Sequence, residues 1–182
     1  MTAPGQPGNT PWDEEDRATK ATTVGDAWAT AGARPCVVPN TADLHQMAQA
    51  AMESPAVRTI AVVDREGRLA GIIPLALLLD ELFHRVAPEE FLAEILEAGA
   101  IEEYGRISRA ATAGELMQSP ASVTVEDTVR TAFGLLHDLE LEGLPIVDAD
   151  GRPMGYLDRL HLLWVWLRTH PVPEGDRPQE GT

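Results

Sequence analysis

Two segments of this chain, TIAVVDREGRLAGIIPLALLL and GLPIVDADGRPMGYLDRLHLL, are copies of one another, and no other feature limits the fold so strongly. Asp64 recurs as Asp148, an offset of 148 − 64 = 84, and Gly67/Gly151, Arg68/Arg152, Gly71/Gly155, Leu78/Leu162 and Leu79/Leu163 keep that offset without a gap. A unit of that size offers too little apolar surface for a robust core of its own. Two copies packed as one globule are therefore expected.

The 182 residues suffice for such a pair with a substantial interior. Fourteen Lys and Arg against 29 Asp and Glu leave a formal charge of −15, which repels phosphate backbones and anionic membrane surfaces. Nucleic-acid partners are excluded on that ground, and so is membrane insertion, because no apolar stretch reaches the roughly 20 residues a spanning helix needs. The opening MTAPGQPGNTPWDEED has neither a basic start nor an apolar core, so it is no secretory signal. Cys36 stands alone, which fits a reducing compartment. A soluble, cytoplasmic protein is expected.

Each copy reads as strand, helix, strand, strand, helix, preceded by a short helical opener: TVGDAWA from Thr23 and TAGELMQ from Thr112. Cys36–Val38 and Ser122–Val125 are β-rich. Leu44, Met47, Ala48, Ala51 and Met52 in one copy, and Val129, Ala132, Phe133 and Leu136 in the other, fall at helical spacing and predict core-facing helices. The paired strands follow, with Gly67 and Gly151 supplying the positive φ of a tight hairpin. The closing helix is opened by Pro74 in the first copy and by Asp158 in the second. Residues 23–86 and 112–169 form the two domains on this division, with flexible ends at 1–22 and 170–182. The stretch 87–111 is an insert in which Pro88, Glu89 and Glu90 start a helix whose apolar stripe is Phe91, Leu92, Ile95 and Leu96.

A duplicated unit carrying TAGELM, SVTVEDTV, GLPIVD and the helix after GYL resembles the cystathionine-beta-synthase (CBS) domain, and the tandem resembles the Bateman module that two such domains make. The likeness spans about Thr23 to Leu167 and is strongest in the second copy. It implies an α+β fold in which two β-α-β-β-α units sit about a pseudo-twofold axis, with a cleft near each strand-to-helix junction. It also implies adenine-containing ligands in those clefts, a nucleotide or S-adenosylmethionine, regulation rather than catalysis, and homodimers formed through the helices. No attached output domain is expected here, so any signal would pass to a separate protein partner.

The family places a Ser or Thr three residues after the glycine and an Asp three residues beyond it, to hold phosphate and ribose. In the first copy those positions hold Pro74 and Leu77, which supply neither a hydroxyl nor an acceptor. In the second they hold Asp158 and His161; the imidazole can donate to a ribose or, protonated, to a phosphate. By family position Asp158, His161, Arg159, Thr124 and Gly143 line the second cleft. The plainer alternative is that Asp158 caps the helix and His161 lies on its polar side.

The last helix has Leu160, Leu162, Leu163, Trp164, Val165, Trp166 and Leu167 on nearly every side, more than one buried face requires. Leu163, Trp164 and Trp166 are the candidate subunit interface, since Trp often anchors binding. His45, His84, His137, His161 and His170 form no ligand spacing, so no metal is expected. There is no G-x-S-x-G elbow and no phosphate loop of Walker type, so no catalytic residue is assigned. The expected function is a regulatory module sensing an adenine ligand in the second cleft. The alternative is a ligand-independent dimeric scaffold with decayed clefts, and a small enzyme working in the cleft between the domains is a third class.

Overall fold

The computed structural model describes residues 22–86 and 112–169; both chain ends and the insert at 87–111 lie outside the described residues. The fold is α+β. In chain order it runs α1 (Val24–Ala31), β1 (Val37–Pro39), α2 (Leu44–Glu53), β2 (Thr59–Val63), β3 (Leu69–Pro74), α3 (Leu75–Val86), α4 (Ala113–Leu116), α5 (Val129–Asp138), β4 (Gly143–Val147), β5 (Pro153–Asp158) and α6 (Arg159–Thr169). In the first sheet β1 runs parallel to β2, and β2 pairs antiparallel with β3; in the second, β4 pairs antiparallel with β5.

The repeated sequence builds repeated local structure for identifiable reasons. Asp64 Oδ1 accepts the amides of Glu66 and Arg68, both at 2.9 Å, and Asp148 Oδ1 accepts those of Asp150 at 2.9 Å and Arg152 at 2.8 Å. Each aspartate thus closes its hairpin turn, and Gly67 at φ 80° and Gly151 at φ 78° take the left-handed position that follows. Both ladders shift register at the same place, between Val62 and Val63 and between Ile146 and Val147. The openers repeat too: Thr23 with Asp26 and Thr112 with Glu115 form reciprocal capping boxes. Hydrogen bonds from the Thr23 hydroxyl and then its amide hold the Asp26 carboxyl below the usual carboxylate range.

The openers are exchanged between the units. Helix α1 of the first copy docks on the second, where Val24 N donates to Asp127 O at 2.8 Å and Val129 N donates back to Thr22 O at 3.0 Å. Helix α4 of the second copy docks on the first, through Ala113 N to Ala42 O and Gly114 N to Asn40 O, both at 2.8 Å. The segments after them add a bridge to the far sheet: Ala33 pairs with Tyr156 on β5, and Gln118 with Ile72 on β3. Two cores result, and each is mixed. Cys36, Val38, Met47, Ile60 and Leu78 pack with Ala113, Leu116 and Tyr156 of the second copy, while Ala132, Leu136, Leu144 and Leu157 pack with Val24, Ala27 and Ile72 of the first. Neither unit could be cut out without opening its own core.

Four local expectations change in the structure. The strand at Ser122–Val125 shrinks to one parallel bridge, Val123 with Ile146, because Thr124 turns away to give its amide (2.7 Å) and hydroxyl (3.0 Å) to Asp127 Oδ2. Pro74 closes β3 rather than opening α3; it pairs with Thr59, and the outer neighbour Gln118 bridges only Ile72, so the amide Pro74 lacks is not called on. Met52 is 81% exposed although Ala50 and Ala51 in the same turn of α2 pack against the first core, so it lies outside the buried stripe of the helix. Phe133 is 61% exposed and faces the groove between α5 and α6 instead of the core.

Candidate functional site

The two strand-to-helix junctions are built alike. In the first, Leu75 N donates to Arg58 O at 2.8 Å; in the second, Arg159 N donates to Glu142 O at 3.2 Å. Each bond ties the start of a helix to the residue before the first strand of its hairpin, β2 or β4. The side chains around them differ. The first junction presents Pro74 and Leu77, both half-buried, with Leu77 packed on the first core.

At the second junction Asp158 and His161 cap each other. Asp158 Oδ1 accepts the His161 amide at 2.9 Å, and His161 Nδ1 lies 3.0 Å from the Asp158 amide and 2.9 Å from Asp158 Oδ1. With Nδ1 unprotonated the ring accepts that amide; with Nδ1 protonated it donates to the carboxylate instead. His161 is 8% exposed, so it turns inward and does not lie on the polar side of α6. The reason is local: the reciprocal cap folds the ring back over the first turn of α6, under the end of β5.

Arg159 points the other way. Its Nε donates to Leu141 O at 3.1 Å and its guanidinium to Leu136 O at 3.4 Å, so it clamps the carboxyl end of α5, where a cation suits the helix dipole. Thr124 is engaged with Asp127, as described above. Gly143 opens β4 beside the Tyr156 side chain; a methyl group there would overlap the phenol oxygen and Cζ. The structure therefore joins Asp158 directly to His161, and sets Arg159, Thr124 and Gly143 to separate local tasks around them.

The interface candidates also separate. Leu163 is exposed and lines a groove of about 380 Å³ between α5 and α6, with Phe133, His137 and Leu162. Trp164 is half-buried on the α1 side of α6, under the Arg168 guanidinium, which lies 4.7 Å from its ring centre. The Trp166 side chain lies outside the described residues. Among the described residues no three His, Cys, Asp or Glu side chains converge as a metal set, and no helix is long and apolar enough to cross a membrane.

Tyr156 is the residue that sequence reasoning missed. It is fully buried, and its phenol oxygen accepts the Arg58 amide at 2.9 Å, a contact between residues 98 positions apart. Burial pushes the phenol above the usual tyrosine range, and the donated Arg58 amide pulls it part of the way back. One signal was present in the sequence: at the 84-residue offset Tyr156 corresponds to Ile72, a polar-tipped ring in place of an aliphatic residue, directly after the matched Gly155 and Gly71.

The comparisons agree with this architecture. Among solved structures, a CBS-domain-containing protein from Thermotoga maritima is 25% identical, with a TM-score of 0.60 over 78% of this chain and 92% of its own. CBSX2 crystallised in complex with AMP is 22% identical, TM-score 0.57, covering 81% of this chain and 98% of its own; a structure of the same protein is assigned to Arabidopsis thaliana. The CBS domain pair of protein MJ0100, in complex with 5′-methylthioadenosine and S-adenosyl-L-methionine, is 16% identical, TM-score 0.57, covering 80% and 99%. No protein of curated function matches the sequence. The CBS domain profile matches residues 33–84 and again 113–167, so the chain belongs to the CBS domain family and carries two copies of the domain in tandem.

Proposed function

We propose that the chain is a regulatory, non-catalytic CBS pair of the cytoplasm that takes an adenine-containing ligand at its second junction and signals to a separate protein partner. The observation that carries this reading is the asymmetry of the junctions: only the second offers polar side chains, Asp158 and His161, at the start of a helix. Similar folds crystallised with AMP, or with 5′-methylthioadenosine and S-adenosylmethionine, support the ligand class. On this reading the ligand competes for the mutual Asp158–His161 bonds, with a ribose hydroxyl donating to the Asp158 carboxylate and a ribose or phosphate oxygen accepting from a protonated ring nitrogen of His161. Because α6 begins at that cap and its next turns line the groove with Phe133, a change at the cap is carried to the surface. The division into domains at 23–86 and 112–169, with 87–111 as an insert, is part of the same proposal.

Calorimetric titration with AMP, ADP, ATP and S-adenosylmethionine tests it. His161→Ala is expected to weaken binding by about tenfold, the equivalent of one lost hydrogen bond. Failure of every one of these ligands to bind the wild type, in protein free of carried-over nucleotide, would sink the sensor reading.

A second reading is supported by the groove itself. Leu160 at 72% exposure, with Leu163, Leu167 and Phe133 also exposed, gives the α5–α6 face an apolar character that suits a homodimer contact. Leu163→Asp is expected to convert a dimer to monomer in sedimentation velocity while leaving the far-ultraviolet circular dichroism unchanged. A wild-type protein that sediments as a monomer at all concentrations removes this reading.

A further inference from the structure

We propose that Tyr156 is a built-in occupant of the first junction, so that the chain can take ligand only at the second. What the second junction binds rests on the adenine reading above; the closure of the first rests on geometry alone. Arg58 is the residue before β2, and its backbone serves both sides of the junction. Its carbonyl accepts Leu75 N at 2.8 Å, and its amide donates to the Tyr156 phenol at 2.9 Å. An aromatic ring with an acceptor in its plane, seated on a backbone amide, is what a purine ring nitrogen would present at that place. Here the second unit supplies such a ring from its own β5, fully buried within the core of the first.

The pseudo-equivalent place is built differently. Glu142 stands where Arg58 stands (142 − 84 = 58), and its carbonyl likewise accepts Arg159 N, at 3.2 Å. The first-unit residue that corresponds to Tyr156 is Ile72 (156 − 84 = 72), which packs into the second core with no polar atom to offer the Glu142 amide. Gly143 completes the asymmetry. A side chain there would collide with the phenol, and its counterpart, Thr59, does carry one (143 − 84 = 59). The phenol passes where β4 opens with no side chain and reaches the start of β2. Pro74 and Leu77, without polar groups for a ribose or phosphate, belong to the same closed junction.

The test titrates the full chain with AMP and, separately, with free adenine, which needs no ribose or phosphate contact. The Arg58 amide is followed by nuclear magnetic resonance. Wild type is expected to bind one equivalent of AMP per chain with the Arg58 amide unmoved, and Tyr156→Ala to gain one equivalent of adenine that shifts this amide. Tyr156→Phe keeps the ring and loses the acceptor; it should leave the stoichiometry unchanged and speed Arg58 hydrogen exchange about tenfold, the loss of one hydrogen bond. Two equivalents of AMP on the wild type, AMP that moves the Arg58 amide, a Tyr156→Ala protein that gains no adenine, or unchanged Arg58 exchange in Tyr156→Phe each overturns the closure. If the wild type takes no AMP while Tyr156→Ala takes adenine on Arg58, closure stands and the adenine reading of the second junction fails. Should Tyr156→Ala not fold, the wild-type stoichiometry and the Tyr156→Phe exchange rate decide.

Discussion

Tyr156→Ala is expected to lower the stability of the protein by about 3–5 kcal/mol, the range for truncating a large aromatic side chain in a packed core. The phenol is fully buried and belongs to the first unit's core although the residue lies on β5 of the second. The truncation leaves a cavity there and removes the acceptor of the Arg58 amide, which donates to the phenol at 2.9 Å; the loss of that part-buried hydrogen bond adds about 0.5–1.5 kcal/mol. Because this contact joins the units, urea unfolding should lose cooperativity as well as midpoint, with probes in the two units separating. Ile72→Ala removes the reciprocal contact and is expected to cost about 2–5 kcal/mol. A Tyr156→Ala protein that loses less than about 1 kcal/mol would show that the cores are separable, against the 3–5 expected.

Gly71→Ala is the second large effect. An added Cβ would stand 2.6 Å from the Gln118 carbonyl oxygen and 2.6 Å from Met117 Sδ. The thioether can swing aside, but the carbonyl belongs to the bridge in which Ile72 N donates to Gln118 O at 3.2 Å and Gln118 N to Ile72 O at 2.8 Å. Overpacking of this kind costs about 1–3 kcal/mol, and breaking the bridge adds about 1 kcal/mol for each bond lost. Gly155→Ala meets the Trp28 ring at 2.6 Å, a side chain whose Nε1 donates to Ala33 O at 3.2 Å, so its cost should be similar or smaller. Gly134→Ala is the internal control. Nothing lies within 4 Å of an added Cβ there, and on helix α5 the change should stabilise by up to about 1 kcal/mol. Chemical denaturation of the three variants gives the order directly; equal losses at Gly71 and Gly134 would refute the close-approach explanation.

Gly71 and Gly155 also show how far the sequence could be read. Their recurrence at the same offset was legible, and so were the hairpins, because an Asp, a turn and a positive-φ Gly act within five residues of one another. The helix faces were legible in part. Ala132 and Leu136 are buried as their spacing requires, but the same spacing includes Phe133, and periodicity cannot tell a residue at the edge of the stripe from one at its centre. Asp158 and His161 were paired by position, and the structure joins them; what spacing could not give was that the reciprocal cap leaves the ring buried rather than on the polar side of α6. Arg159 was assigned to the second cleft by family position, and only the end of α5 beside it shows that its guanidinium donates to the Leu136 and Leu141 carbonyls.

The sequence by itself determined the duplicated architecture, the local order of strands and helices, the turn chemistry and the chemical asymmetry of the two junctions, since each depends on residues near one another in the chain or on direct comparison at one offset. Only the tertiary structure decided which unit each opener packs on, which unit's core holds Ile72 and Tyr156, and that a phenol from one copy occupies the junction of the other. Those facts are pairings between residues far apart in the chain, from 118 − 72 = 46 positions for Ile72 with Gln118 to 156 − 33 = 123 for Ala33 with Tyr156. Hydrophobicity and spacing say that a side chain is to be buried, but not by which neighbour. That choice is made by shape, as the two sheets close on a glycine here and a tyrosine there.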